Sequence, residues 1–213
     1  MNKKSFISSV VVLGAFAASS NATLVFSENF NGGGTGVFAV TATDGVIWDA
    51  MTAIAYDNWT GAATSTTDNA MTASSDFFGT SPNGFDTKAT ASVNAVGFNN
   101  LTLDYDVNFQ NFAGGTDRLE VYAGANLIFT HSADTGSLFG APGVHFTHNI
   151  SVADNSTFGL RFRYVDESAN AFEWYAQVDN VTVNGRDMVP EPATFAVLGL
   201  GALALIRRRR NKI

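Results

Sequence analysis

Pairs of acidic residues are the first groups in this sequence that could do chemistry. Asp104 and Asp106 are two residues apart, and Asp166 is followed directly by Glu167. Two carboxyl groups are what a glycosidase uses, one as the acid and the other as the base or nucleophile. Asp104 and Asp106 alternate with apolar residues, so we expect them on the solvated polar face of a strand. We therefore predict that this pair is not catalytic.

Other catalytic groups are scarce. The chain has no cysteine, which excludes thiol catalysis, disulfides and cysteine-ligated metals. It also has no G-x-S-x-G nucleophile elbow. His145 and His148 are three residues apart in a predicted strand, so they should point to opposite faces and cannot share a metal ion. We predict that these two and His131 are structural, and that the protein is not an enzyme.

Aromatic side chains are the remaining candidates for ligand binding, because the faces of sugar rings stack on tryptophan and tyrosine. Trp174 falls on the predicted core face of its strand and is assigned to packing. Tyr175 faces the other way, and Tyr56 and Trp59 lie in an acidic, loop-like stretch. These three are our candidate ligand-binding residues, with packing in the core or at its rim as the alternative for each.

The charges are distributed very unevenly along the chain. Residues 23–192 carry all 19 acidic residues but only five of the 12 basic ones, an excess of 14 negative charges. The other basic residues lie at the two ends. A body this acidic repels polyanions, so we do not expect nucleic acid as a partner.

Strand patterning dominates the body. In two segments apolar residues alternate strictly with polar ones, which is the period of a half-buried strand. These segments are 101–110 and 157–164, and shorter ones are 24–29, 37–41, 87–95, 118–123, 127–131 and 144–152. Turn signals such as Asp44-Gly45 separate them. We predict an all-β fold for residues 23–186, an antiparallel β-sandwich or jelly roll.

The last predicted strand changes phase. Trp174, Ala176 and Val178 share one face, whereas Val181 and Val183 have the opposite parity. Since a shift of one residue moves every following side chain to the other face, we predict a bulge at Asp179-Asn180.

Residues 1–22 have the three parts of a secretory signal peptide. Lys3 and Lys4 provide the positive start, residues 6–18 form the apolar helical stretch, and Ser20 and Ala22 are the small residues of a cleavage site. We predict cleavage by signal peptidase after Ala22. An uncleaved N-terminal anchor is the alternative.

The C-terminal segment 187–213 combines three features. Pro190, Glu191 and Pro192 precede an uncharged apolar run, residues 193–206, and a basic cluster follows it. As a helix the run spans ~21 Å, short of a ~30 Å hydrocarbon core, but snorkelling arginines could close the gap. We predict a short transmembrane helix with its basic end in the cytoplasm. That basic cluster consists of Arg207, Arg208, Arg209 and Arg210.

These C-terminal features resemble the PEP-CTERM sorting signal, and proteins with that tail resemble substrates of exosortase. The resemblance implies transient anchoring in the inner membrane, processing near 190–192 by an exosortase-like enzyme, and delivery to the cell surface or extracellular matrix. A tail anchor that is never processed is the alternative.

The body is similar to carbohydrate-binding-type jelly rolls. An aromatic residue followed by Asp179-Asn180-Val181-Thr182-Val183 resembles their closing strand, and residues 25–32, with Trp48 downstream, resemble their first strand. In that family a structural Ca²⁺ often joins these two strands. The resemblance implies Glu28 and Asp179 as its ligands here.

We therefore expect an exported, non-enzymatic surface or matrix protein with a calcium-assisted jelly roll and exopolysaccharide as the candidate ligand. Two alternatives remain open. One is a secreted carbohydrate-active or proteolytic enzyme, and the other is a purely structural matrix component.

The paired prolines ahead of a short, charge-terminated apolar run lead to a prediction about processing. Mass spectrometry of the protein recovered outside the cell should find an N-terminus at Thr23 and no peptide containing residues 207–210. Intact peptides from the arginine cluster on extracellular protein would contradict it.

Overall fold

The computed structural model describes residues 22–32, 34–43, 48–52, 69–74, 84–111, 116–136, 143–166 and 175–188, together with 199, 200 and 207. Residues 22–188 form one compact unit. Its strands are β1 Ala22–Glu28, β2 Ala39–Thr43, β3 Asp49–Thr52, β4 Asn69–Ser74, β5 Phe85–Asn94, β6 Phe98–Gln110, β7 Arg118–Ala123, β8 Asn126–His131, β9 Val144–Asn149, β10 Thr157–Asp166 and β11 Tyr175–Asp187.

The strands form two antiparallel sheets. Sheet A has the order β3-β4-β11-β6-β9, and β1 pairs with β11 as well. Sheet B has the order β2-β5-β10-β7-β8. The predicted all-β antiparallel sandwich is therefore confirmed.

The predicted helices lie almost entirely outside the described residues. This holds for the signal helix and for the apolar helix 193–206, of which only residues 199 and 200 are described, both helical. Within the described part of the chain, no helix has the length and apolar character needed to cross a membrane.

Alternation places one face of each long strand in the core between the sheets. Leu103, Tyr105 and Val107 of β6 are fully buried there, as are Leu160 and Phe162 of β10. Aromatic side chains of the segment after β1 cover one part of this core. Phe38 lies 5.8–6.0 Å, between ring centroids, from each of the rings of Phe26, Phe30 and Phe162.

The predicted bulge in the last strand is present. The pairing of β11 with β6 shifts register between Asp179 and Thr182, and Asn180 has a φ of 50°. Asparagine enters this left-handed region more readily than most residues. The shift keeps Val178 and Val181 in the same core although their positions differ in parity.

Strands β3 and β4 were not predicted from the sequence. Every residue of β4 from Ala70 to Ser74 is buried. Polar Thr72 is therefore as inaccessible to solvent as Met71. A strand covered on both faces shows no alternation, and periodicity therefore does not reveal it.

A buried polar bridge joins the two sheets where β8 and β9 form their edges. The Tyr105 hydroxyl lies 3.1 Å from Nε2 of His131 in sheet B and 3.2 Å from Nε2 of His148 in sheet A. A phenol has one proton to donate, so it donates to one imidazole and accepts from the other. The imidazole that accepts the phenol proton must be neutral, because an imidazolium has no free lone pair at Nε2.

The surroundings favour the neutral imidazoles. Burial, and then the charge of the nearby His148, lower the pKa of His131 to about 4. Burial also lowers the pKa of His148. Because these folded-state pKa values lie below the unfolded value, the unfolded chain binds protons first, and stability is lost as the pH falls below about 6.5.

We predict that the free energy of unfolding falls by ~2 kcal/mol between neutral pH and about pH 5 through His131 alone. Denaturant unfolding at both pH values measures it, and most carboxylates stay ionised in this window. His131→Gln keeps a polar group beside Tyr105 and should flatten the pH dependence. Equal pH dependence in the two proteins would contradict the assignment.

Candidate functional site

The outer face of sheet A carries a band of polar side chains. Strand register aligns β6 with β9 and β11, so Asp104 lies between Thr147 and Thr182. Asp106 lies between His145 on β9 and Asp179 on β11. The same alternation that sends the apolar residues of β6 inward sends these groups outward.

Two carboxylates organise this band. Asp106 accepts hydrogen bonds from the amide of Asn180 at 2.8 Å and lies 2.7 Å from Nδ1 of His145. Asp104 accepts from the hydroxyl of Thr147 at 2.6 Å and from the amide of Asn184 at 3.1 Å. Each carboxylate therefore fixes two neighbouring side chains. The prediction that Asp104 and Asp106 share the outward polar face is confirmed.

A cleft of about 320 Å³ opens at one end of the band. Polar side chains from three adjacent strands line it, with amides predominating. One of them, the amide of Asn184, donates a hydrogen bond to Asp104. The lining residues are Ala22, Asn100, Thr102, Asn149, Asn184, Gly185 and Arg186.

Close packing beneath the cleft requires glycine at position 185. A Cβ at this position would lie 2.8 Å from a side-chain carbon of Leu101 and 2.9 Å from one of Phe98. Both contacts are too short for carbon atoms, so a larger residue would push β11 away from β6 and alter the cleft.

The other end of the band is buried. Tyr175 is 0% exposed, and its hydroxyl accepts a hydrogen bond from Asn108, which in turn accepts one from Gln110. The phase of the strand places Tyr175 away from the inter-sheet core, as predicted. It nevertheless offers no open ring face to a sugar in this structure. The other two aromatic candidates, Tyr56 and Trp59, lie outside the described residues.

The histidines occupy the faces that the strand period predicts. His145 lies on the outer face, with 61% of its side chain exposed, and His148 points to Tyr105. Among the described residues, no group of three or more histidine or acidic side chains could hold a metal ion.

Glu28 and Asp179 accept hydrogen bonds from different backbone N–H groups. Both oxygens of Glu28 accept backbone N–H groups, from Asn29 and Phe30 on one and from Val37 on the other, at 2.9–3.1 Å. Asp179 accepts the N–H of Asn180 at 2.7 Å. Calcium takes six to eight oxygen ligands, and N–H donors compete for the same lone pairs. These contacts fit a cap for the segment after β1, and the calcium site stays a prediction.

Most of the predicted processing residues lie outside the described part of the chain. This applies to Pro190, Glu191, Pro192, Arg208, Arg209 and Arg210, whereas Arg207 is helical and exposed. Ala22 is the first residue of β1 and pairs with Arg186. Cleavage after Ala22 would therefore remove one apolar residue from the cleft but none of its polar side chains.

Comparison with protein families identifies the C-terminal segment. Residues 189–210 match the PEP-CTERM protein-sorting motif. The motif marks an exported protein that is processed at the membrane, so the resemblance proposed from the sequence is confirmed. No curated protein matches the chain.

Comparison with solved structures identifies the fold. The K1 cleaved adhesin domain of Lys-gingipain from Porphyromonas gingivalis W83 has a TM-score of 0.51 at 18% identity, covering 76% of this chain and 97% of that one. TmCBM61 in complex with β-1,4-galactotriose has 0.48 at 11%, covering 73% and 92%. The CBM22-1 xylan-binding domain of Paenibacillus barcinonensis Xyn10C has 0.41 at 14%, covering 81% and 100%. The likeness to the adhesin domain supports the antiparallel β-sandwich fold of the body.

Sequence reasoning did not find the cleft. Thr102 and Asn184 were recognisable as outward positions of alternating strands, but nothing marked them as neighbours. Their proximity, and that of Asn149, follows from pairings between segments far apart in the chain.

Proposed function

We propose that this exported protein binds carbohydrate through the cleft on the outer face of sheet A. The cleft itself is the observation that carries the proposal. Its volume of about 320 Å³ lies within the range of small-molecule sites. It is open along a sheet face, so a polymer chain could extend beyond it.

The chemistry of the lining supports a sugar ligand. A sugar hydroxyl both donates and accepts hydrogen bonds, and so does a side-chain amide. Asn100, Asn149 and Asn184 supply three amides, and Thr102 adds a hydroxyl. The hydrogen bond from Asn184 to Asp104 uses one N–H and leaves the carbonyl oxygen and the second N–H for a ligand. Holding the amide in place also lowers the entropy lost on binding.

The role of the carboxylates supports binding over catalysis. Asp104 and Asp106 each contact two neighbouring side chains. Such contacts fit a role in orienting those side chains better than catalysis by a glycosidase pair. We propose a non-enzymatic role on this basis. Turnover of a bound glycan would instead favour the alternative, a secreted carbohydrate-active enzyme.

The sorting motif supports a proposal about location and partners. Signal peptidase and an exosortase-like enzyme would act at the two ends, with the C-terminal helix as a transient inner-membrane anchor. The released body would reach the cell surface or the extracellular matrix, where exopolysaccharide is the proposed ligand. Tyr56 and Trp59 are proposed from the sequence as residues that stack on sugar rings.

We predict that Thr102→Ala combined with Asn149→Ala weakens glycan binding about tenfold or more, because two hydrogen-bonding groups are lost. A glycan array with the protein purified after export identifies the ligand, and calorimetry measures its affinity. Thr41→Ala combined with Ser92→Ala is the matched control, since both residues are exposed on sheet B. The control should bind like the wild type.

Two results would contradict the proposal. One is unchanged affinity in the cleft variant, which would place the site elsewhere. The other is an array without any bound glycan, which would favour a purely structural matrix component.

Structural calcium at Glu28 and Asp179 is a separate proposal with its own test. A Ca²⁺ ion that binds only the folded state stabilises it by ~2.7 kcal/mol at a hundredfold excess over its Kd. EDTA should then lower the melting temperature of the wild type, and Glu28→Gln with Asp179→Asn should abolish that response. Asp154→Asn with Asp187→Asn is the control that should retain it, since both carboxylates are exposed. A wild type whose melting temperature does not change with EDTA would contradict the calcium proposal.

A further inference from the structure

The basic residues of the body are concentrated on one surface. Four of the five, Lys88, Arg118, Arg161 and Arg163, point outward from sheet B. They lie on β5, β7 and β10, which are adjacent strands. We call this surface the basic face. It is cationic although the body as a whole carries an excess of 14 negative charges.

Two carboxylates on the basic face are already bound by its cations. Arg163 forms a fork with Asp86, at 2.8 and 2.9 Å, and reaches Glu120 at 2.8 Å with its remaining terminal nitrogen. Lys88 pairs with Asp86, and Arg118 pairs with Glu120. Four cations thus face two carboxylates, and two positive charges remain in excess among the described residues of this face.

Among the four cations of the basic face, Arg161 is the one without a carboxylate partner in the described part of the chain. Its guanidinium carbon lies 4.1 Å from the centroid of the Tyr122 ring, and neither a hydrogen bond nor an ion pair of Arg161 is found among the described residues. Stacking on the ring fixes the plane of the guanidinium without using its N–H donors. A guanidinium held in this way is prepared for a planar, two-point contact with a carboxylate.

We propose that the basic face is a second binding site, which takes the carboxylate groups of an acidic polysaccharide. Arg161 binds the carboxylate of one sugar unit, and Lys88 lies near the path of the polymer across the strands. The two sites lie on opposite outer surfaces of the sandwich. One molecule could therefore connect two polysaccharide segments.

The charge distribution favours such a polymer over two other partners. A second copy of the chain would offer the carboxylates of sheet A, but Asp104 and Asp106 are only 21% and 14% exposed and are already hydrogen-bonded. Duplex DNA carries one charge per ~1.7 Å of its axis, so more of its charges than of a polyuronate's would lie within reach of the acidic residues outside the basic face. A polyuronate has one carboxylate per sugar, and at physiological salt only charges within ~8 Å act strongly on it.

The test uses polygalacturonate oligosaccharides with the protein purified after export. Calorimetry at low and at high sodium chloride should show binding that weakens with salt, and neutral dextran of similar length should not compete. Arg161→Gln should weaken binding about fivefold or more, because it removes the guanidinium of the basic face that has no carboxylate partner among the described residues. Lys88→Gln should weaken it less, because Lys88 already pairs with Asp86. Thermal melts check that both variants fold.

Asp154→Asn is the control for overall charge. Asp154 is exposed in the segment between β9 and β10, so this change shifts the net charge by one without touching either face. Binding close to that of the wild type is expected. Strengthening as large as the loss in Arg161→Gln would mean that only net charge matters and would overturn the proposal.

Three further results would also overturn it. These are no binding to the wild type at low salt, unchanged binding in both Arg161→Gln and Lys88→Gln, and concentration-dependent self-association that Arg161→Gln abolishes. The neutral-glycan affinity of Arg161→Gln should equal that of the wild type. This keeps the test independent of the cleft on sheet A.

Discussion

The pairing of β6 with β11 is the constraint on which sheet A depends. Strands β1 and β4 pair with β11, and β9 pairs with β6, so every strand of the sheet except β3 is attached directly to this pair. Its bulge between Asp179 and Thr182 lets β11 contribute Val178 and Val181 to one core. An unbulged strand would turn Val181 and Val183 to solvent and Thr182 and Asn184 into the core. The bulge is therefore needed both for the packing of the core and for the outward residues of the cleft.

The two outer faces show how one fold can carry two chemistries. Strand alternation commits the inward residues to packing and leaves the outward ones free. On sheet A these positions hold amides and hydroxyls oriented by Asp104 and Asp106. On sheet B they hold four of the body's five cations. Hydrogen bonds from Arg163 and Lys88 lower the pKa of Asp86. Burial raises the pKa of Glu120, but hydrogen bonds from Arg118, Tyr122 and Arg163 lower it overall. The core between the sheets is apolar except for a few groups such as the Tyr105 bridge.

The sequence revealed those features that depend on local pattern. Alternation in 101–110 and 157–164 predicted β6 and β10, the change of parity predicted the bulge, and the terminal motif predicted sorting. Features that depend on distant segments were missed. The burial of Tyr175 and of β4 arises from coverage of both sheet faces, which no local pattern encodes. Thr102 and Asn184 become neighbours only through the register of β6 and β11.

Mapping a bound glycan onto the protein would show whether the outer face of sheet A binds carbohydrate. Backbone amide resonances, assigned for the protein purified after export, would be followed by NMR during titration with the best glycan from an array. We predict shifts centred on Thr102, Asn149, Asn184 and Arg186, with Asn94 on sheet B unaffected. Shifts confined to sheet B, or spread evenly over the protein, would contradict it.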